Sequence, residues 1–453
     1  MSIPKILLLL SLSSAILCNS PSHPTTPRIR HCIIPSKYDF SNGTADDSPA
    51  VTFAFAKCSK DATITFSPGI DYNIFNPITA TNLSNVAIHM YGNLHLPQDI
   101  TAIQGLVNAS NALTYSTSLY WFKLAGPNID YIGTPNVTTG WINSYGQAWW
   151  DANPPNGTGT AARPHLLSFN TTNGSLTSFK SRKPIAWNVQ LSGSNVAVDS
   201  AIIDATSNSP SFPFNTDGFD VSGTNISITN SLILNGDDAI AVQSGSHNVL
   251  FAHNTIGYQS HGMSIGSLGQ SQSSFANVSN VLFTDNTVIS AVYAARFKSW
   301  LGGQGLARNI SWTNIRLYNV SFPIYVTQTY INQGSTQTQL ENGTVTNRPN
   351  NSTVVMQDFT WANFTGTINT FSPGDGSCVT DPCWYDIGLP GLRHTEAIVI
   401  ECNTNTSCQN FTLENIQVWP QSMEVPTVVC INATTELNPK LGFECRNGTF
   451  ISS

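Results

Sequence analysis

The sequence predicts an all-β protein, a single-domain parallel β-helix whose short strands stack coil upon coil. Three observations predict it. Segments that alternate apolar and polar residues recur at steps of 20 to 32 residues, led by Asn195, Asn225, Asn248, Asn280 and Asn309. Each is rich in β-branched or aromatic residues, so each reads as a strand with one buried face. No amphipathic helical pattern separates them, which disfavours a βαβ sheet. Only 10% of the residues are charged, which argues against disorder and against long, charge-laced helices. A propeller blade needs about 40 residues, more than this repeat supplies. A solenoid grows as one continuous core, so the length does not require several domains.

Taken in order, residues 1–20 read as a secretory signal. Lys5 supplies the positive charge, and Ile6 to Leu17 form the apolar stretch. Residues 21–453 are expected to form the catalytic β-helix. No later segment has 18 uninterrupted apolar residues, so no membrane span is expected. Beyond Cys18, which falls in the signal, the cysteines lie in two groups. Cys32 and Cys58 are near the start; Cys378, Cys383, Cys402, Cys408, Cys430 and Cys445 are near the end. An even number in an exported chain suggests disulfides, and pairing between neighbours is the simplest choice. Dense Asn-x-Ser/Thr acceptors, Asn42, Asn82 and Asn136 among them, fit a secreted, extracellular glycoprotein. The segment from Trp121 to Trp150 reads as loops or an elaborated coil. The net charge of −7 argues against nucleic acid as a partner. A monomer with no cofactor and no metal is expected, since no Cys/His spacing suggests zinc.

The chemistry concentrates in the middle of the chain. Asn215-Thr216-Asp217-Gly218-Phe219-Asp220 is followed by Gly236-Asp237-Asp238, by Ser260-His261-Gly262 and by Arg296-Phe297-Lys298. The first three lie 20 to 24 residues apart, about one coil. Adjacent coils stack about 4.8 Å apart, so the spacing lets Asp217, Asp237, Asp238 and His261 share one patch. Asp237 and Asp238 point to opposite sides of an extended strand, so at least one is expected at a turn. Clustered carboxylates repel, which can hold one protonated near working pH. Glycoside hydrolysis needs such an acid beside a second, ionised carboxylate. Arg296 and Lys298 alternate around Phe297, so in a strand they share a face and suit a sugar carboxylate. Alone, Asn-Thr-Asp-Gly is a turn sequence and Arg-x-Lys an exposed pair; their order at coil spacing gives them weight.

These residues closely resemble the four signatures of the polygalacturonases, glycoside hydrolase family 28. Gly146 to Pro164, with Trp149-Trp150 and Arg163-Pro164, and Val326 to Tyr330 extend the likeness over most of the chain. The resemblance implies a right-handed parallel β-helix of the pectin-lyase-like kind and inverting hydrolysis of α-galacturonide bonds in a pectic polysaccharide, polygalacturonate or rhamnogalacturonan. It implies Asp237 as general acid, Asp217 and Asp238 as activators of water, and His261 as support for the acid's protonation. Arg296, Lys298, Tyr330 and Asn215 are implied to hold the sugar. Inversion predicts acid-to-base separations of roughly 6.5–9.5 Å.

Some residues depart from the pattern. Ala239 and Gly257 stand where the family carries a cysteine pair, and Phe297 replaces the usual Ile. Ser260, with Gly266-Ser267-Leu268-Gly269-Gln270, is more similar to the exo-acting branch than the endo-acting one, so release of galacturonic acid from chain ends is expected. Two other classes compete. A non-catalytic polysaccharide-binding β-helix would tolerate loss of an acid, and none is lost. A polysaccharide lyase would normally need calcium and a basic proton acceptor.

Overall fold

The computed structural model describes residues 26–110, 118–330, 352–379, 383, 385, 392–446 and 448–451. The expected leader over 1–20 lies outside them. Among the described residues, thirty strands join one continuous sheet that winds as a right-handed parallel β-helix. Its strand pairs are parallel throughout, except that Thr427–Ile431 pairs antiparallel with Gly448–Ile451.

The Asn-led segments take their place for a physical reason. Asn195, Asn225, Asn248, Asn280 and Asn309 all have φ between 52° and 56°. This left-handed conformation bends the strand into the next sheet, and Asn tolerates it better than most residues. Each donates its amide to the asparagine one coil earlier: Asn195 to Asn173 (2.8 Å), Asn225 to Asn195 (2.8 Å), Asn248 to Asn225 (2.9 Å), Asn280 to Asn248 (3.0 Å) and Asn309 to Asn280 (2.7 Å). The ladder satisfies polar groups at every bend and fixes the stacking register.

Inside the coil, like residues stack on like. Phe283 lies 5.1 Å from Trp312, which stacks on Trp361 at 5.6 Å with the rings 2° apart. Both tryptophans are fully buried, and truncating either to Ala removes roughly 3–5 kcal/mol. Among the described residues, three short α-helices, Ser48–Lys57, Ile100–Ala109 and Gln147–Asp151, interrupt the strands. The Trp-rich segment is part regular coil: Tyr120–Pro127 is a strand, and Trp121 donates to the Ile74 carbonyl at 2.9 Å. Four disulfides join sequence neighbours: Cys32–Cys58, Cys378–Cys383, Cys402–Cys408 and Cys430–Cys445.

One register positions the site. Phe219, Ile240, Met263 and Ala295 pair in succession across four coils. Two residues before each of these stand Asp217, Asp238, His261 and Tyr293. A second column, Asp220, Ala241, Ser264 and Arg296, runs one residue after them.

Candidate active site

Asp217, Asp220, Asp237, Asp238, Asn215, Lys298 and Tyr330 line one cleft of about 540 Å³, with Trp187, Gln190, Gln243, Gln270 and Trp300. Arg296 and His261 contact its acids from the wall. The structure therefore brings together every residue expected from the sequence.

Asp237 and Asp238 both lie in the bend between Leu232–Leu234 and Ile240–Val242, which lets two consecutive side chains reach one cleft. Asn235 pins that bend from beneath, its amide donating to the carbonyls of Asp237 (2.7 Å) and Asp238 (3.0 Å). Ser260 is fully buried, and its hydroxyl donates to the Asp237 carbonyl at 3.1 Å. This residue therefore supports the main chain of Asp237.

Asp237 accepts from the Asp238 N–H (2.9 Å), from the Asn215 amide (3.3 Å) and at 3.1 Å faces Nδ1 of His261. Burial works against its charge. The His261 charge and hydrogen bond outweigh burial, helped by Lys298 and the Asp238 N–H, and hold it below the usual carboxylate range. Crowding was expected to raise an acid's pKa. The acids it raises are Asp217 and Asp220, pushed well up by burial first and by neighbouring aspartates second. Burial also opposes charge on His261, but Asp237 and Asp375 dominate and push it up to about 9. The proton expected on Asp237 therefore rests on its histidine partner. Because the His261 pKa is raised and the Asp237 pKa lowered on folding, the pair's stabilisation is full between about pH 4 and 6.5, is lost as pH rises through about 9, and fades as pH falls below about 4.

Asp238 is committed to cations. Lys298 donates to it at 2.5 Å, Ser264 at 2.6 Å and Arg296 at 3.4 Å. Arg296 and Lys298 project from one face of Tyr293–Ser299, and Phe297 between them enters the core, as the alternation predicted. Tyr330 lies 5.4 Å beneath the Lys298 ammonium and 5.1 Å from Trp300. Oδ1 of Asp217 is buried and accepts no hydrogen bond from the described residues.

An oxygen of Asp237, an oxygen of Asp238 and a nitrogen of His261 lie within 4.8 Å of one another. The same trio is an unsuitable metal cage. Both ring nitrogens of His261 already face carboxylates, and Asp238 is held by Lys298 and Ser264.

Three contributors escaped the sequence reading. Asp375 closes on the far side of His261 at 2.8 Å. Asp220, quoted only as part of a motif, accepts from Gln243 at 2.9 Å. Arg163, noted only in an upstream motif, donates to Oδ1 of Asn215 at 2.7 Å and so turns the Asn215 amide toward Asp237.

The raised acids carry a prediction. Asp217→Asn removes a buried charge crowded by its neighbours, so at pH 7 it should raise Tm by roughly 1–3 °C while abolishing activity. The gain should vanish as pH falls below about 4, where the carboxyl becomes protonated in both states. Scanning calorimetry at both pH values checks this; a lower Tm at pH 7 would contradict the strain assigned to Asp217.

The sequence model described as Glycosyl hydrolases family 28 matches residues 86–391. The chain is 58% identical over 448 residues to a probable exopolygalacturonase C of Aspergillus fumigatus, covering 99% of this chain and 98% of that protein. A probable exopolygalacturonase C of Aspergillus niger is 56% identical over 450 residues, with 99% of each chain covered. Among solved structures, the fold is similar to endo-xylogalacturonan hydrolase from Aspergillus tubingensis: TM-score 0.68, 22% identity, 92% of this chain and 99% of that one. It is also similar to an exopolygalacturonase from Thermotoga maritima: TM-score 0.56, 14% identity, 96% of this chain and 97% of that one.

Proposed function

The chain belongs to glycosyl hydrolases family 28, and from that premise we propose that it hydrolyses α-1,4-galacturonide bonds of pectic polygalacturonate from chain ends, releasing galacturonic acid. One observation carries the substrate class. Two buried cations, Arg296 and Lys298, share Asp238 in the cleft that holds the candidate acid. Cations so placed suit a uronate carboxylate, the guanidinium by a planar fork and the ammonium as a point charge. The names of the relatives support attack at chain ends. We also read residues 1–20 as an export leader and 21–453 as one catalytic unit acting outside the cell. The four disulfides support this reading. No helix among the described residues is long and apolar enough to cross a membrane.

In the proposed mechanism the uronate carboxylate binds Arg296 and Lys298, and Asn215 and Tyr330 hold the same sugar. Asp237 protonates the leaving glycosidic oxygen. His261 supplies that proton, because the pair holds one proton between them across 3.1 Å. Asp217 removes a proton from the attacking water, and Asp238 orients the cations and the water. Burial and neighbouring aspartates raise both Asp217 and Asp220, and in this mechanism Asp217 acts in its ionised form as the base.

The test is hydrolysis of polygalacturonate beside the same polymer with its carboxyls reduced, followed by proton NMR. The expected result is cleavage of the acidic polymer alone, with the β-anomer formed first, as inversion requires. Equal cleavage of the reduced polymer would remove the cations' assigned role. Absorbance appearing near 235 nm would indicate elimination, the lyase reaction.

A further inference from the structure

Asp375 reaches the site from outside the coil period that assembles the other groups. It lies 114 residues from its partner His261, in the segment that follows the strand Val354–Ile368. Its carboxyl is fully buried, with Oδ2 2.8 Å from Nε2 of His261. The segment is fixed on several sides. Oδ1 of Asp375 accepts from the Ser377 N–H at 2.8 Å, and its carbonyl accepts from the Gln259 amide at 2.8 Å. The Gly374 N–H donates to the Ser321 hydroxyl at 3.0 Å. The Cys378–Cys383 disulfide ties the chain immediately downstream. The acid is thus held against the histidine by the protein around it.

The surroundings of His261 restrict what its ring can do. Asp237 faces Nδ1 and Asp375 faces Nε2. Phe212 stacks on the ring at 6.3 Å, and Tyr293 meets it edge-on at 6.1 Å with the Arg296 guanidinium over the tyrosine ring at 4.3 Å. The partner on one ring nitrogen decides which tautomer the other presents.

We propose that Asp375 is a positioning residue for the acid: it holds the Nε2 hydrogen of His261, so that Nδ1 and Oδ1 of Asp237 share the proton delivered to the leaving oxygen. This rests on the reading of Asp237 as general acid. In the step, the Nδ1–H bond breaks as the Asp237 O–H bond forms. That O–H then breaks as the glycosidic oxygen gains the proton and its bond to the anomeric carbon breaks. His261 is left neutral with Nε2–H still on Asp375. It regains its Nδ1 proton from solvent, which balances the proton that Asp217 took from the attacking water and returns. The raised pKa of His261 agrees with this arrangement.

An asparagine at 375 can donate to Nε2 instead of accepting from it. The neutral ring would then carry its hydrogen on Nδ1, facing an ionised Asp237, and no acid proton would remain. The experiment compares wild type, Asp375→Asn and Asp375→Glu by kcat and KM across pH, and follows His261 by 15N NMR. For Asp375→Asn the expected loss in kcat is on the order of 10²-fold with KM unchanged. The alkaline limb of kcat should move down by about one pH unit or more, since loss of an ion-pair partner lowers an imidazolium pKa by that order. Asp375→Glu should recover part of both. In wild type, His261 should remain an imidazolium well above its ordinary midpoint of about 6.5. Wild-type titration at or below that midpoint would overturn the proposal. So would an Asp375→Asn enzyme with an unmoved alkaline limb, or a pH-independent loss that Asp375→Glu does not relieve. Should Asp375→Asn fail to fold, the wild-type titration decides alone. An inactive wild type would instead sink the proposed function, and the NMR titration would still read the histidine.

Discussion

Asp237→Asn is expected to lower kcat on polygalacturonate by roughly 10²–10⁴-fold, the range for removal of a positioned general acid. The amide fills the same space, and its one oxygen can still accept from the Asp238 N–H, while the Asn215 amide, which donates to the other oxygen, loses its acceptor. It cannot take the His261 proton to the leaving oxygen. KM should change little, because the cations that hold the uronate are untouched. Circular dichroism should show an intact fold. The variant should also lower the pKa of His261, because the charge and hydrogen bond of Asp237 help hold that pKa up to about 9. Steady-state kinetics near wild type would remove Asp237 from the acid role.

Asp238→Ala is expected to destabilise the protein by about 3–5 kcal/mol, the cost of leaving buried charge without its partner. Three donors converge on this carboxylate: Lys298, Ser264 and Arg296. Arg296 and Lys298 are almost fully buried, so losing Asp238 leaves both cations with little solvent to replace it. Activity should disappear as well, since the cations would lose the geometry that receives the uronate. Urea denaturation checks the first part. A triple change, Asp238→Leu with Arg296→Met and Lys298→Met, should recover much of the stability while remaining inactive, because an apolar set replaces a buried ionic one at little net cost. A single Asp238→Ala as stable as wild type would show that these charges are not desolvated as described.

Much of this site is legible in the sequence because one coil takes 20 to 32 residues. Asp217, Asp238 and His261 stand two residues before strands in register, so their spacing reports their juxtaposition. The Arg296-Phe297-Lys298 alternation reports a shared face in the same way. Asp375 is not legible, because it arrives through a segment outside that period, 114 residues from His261. Nor does spacing give the protonation states. Four clustered acids suggest repulsion, but which acid keeps a proton depends on the hydrogen bonds each receives. Asp237 receives His261, so its charge is favoured; Asp217 is buried among aspartates, so its charge is disfavoured. The asparagine ladder was visible only as strand-leading residues. Its left-handed bends and amide-to-amide bonds require the coil to be built.

Central to the proposed function is the removal of galacturonate units from chain ends by acid-assisted hydrolysis at Asp237. A timed product profile on polygalacturonate, wild type beside Asp237→Asn, tests it most directly. The predicted result is galacturonic acid as the main product from the first minutes with wild type, and almost none with the variant. Early release of mixed oligomers, or equal release by both enzymes, would contradict it.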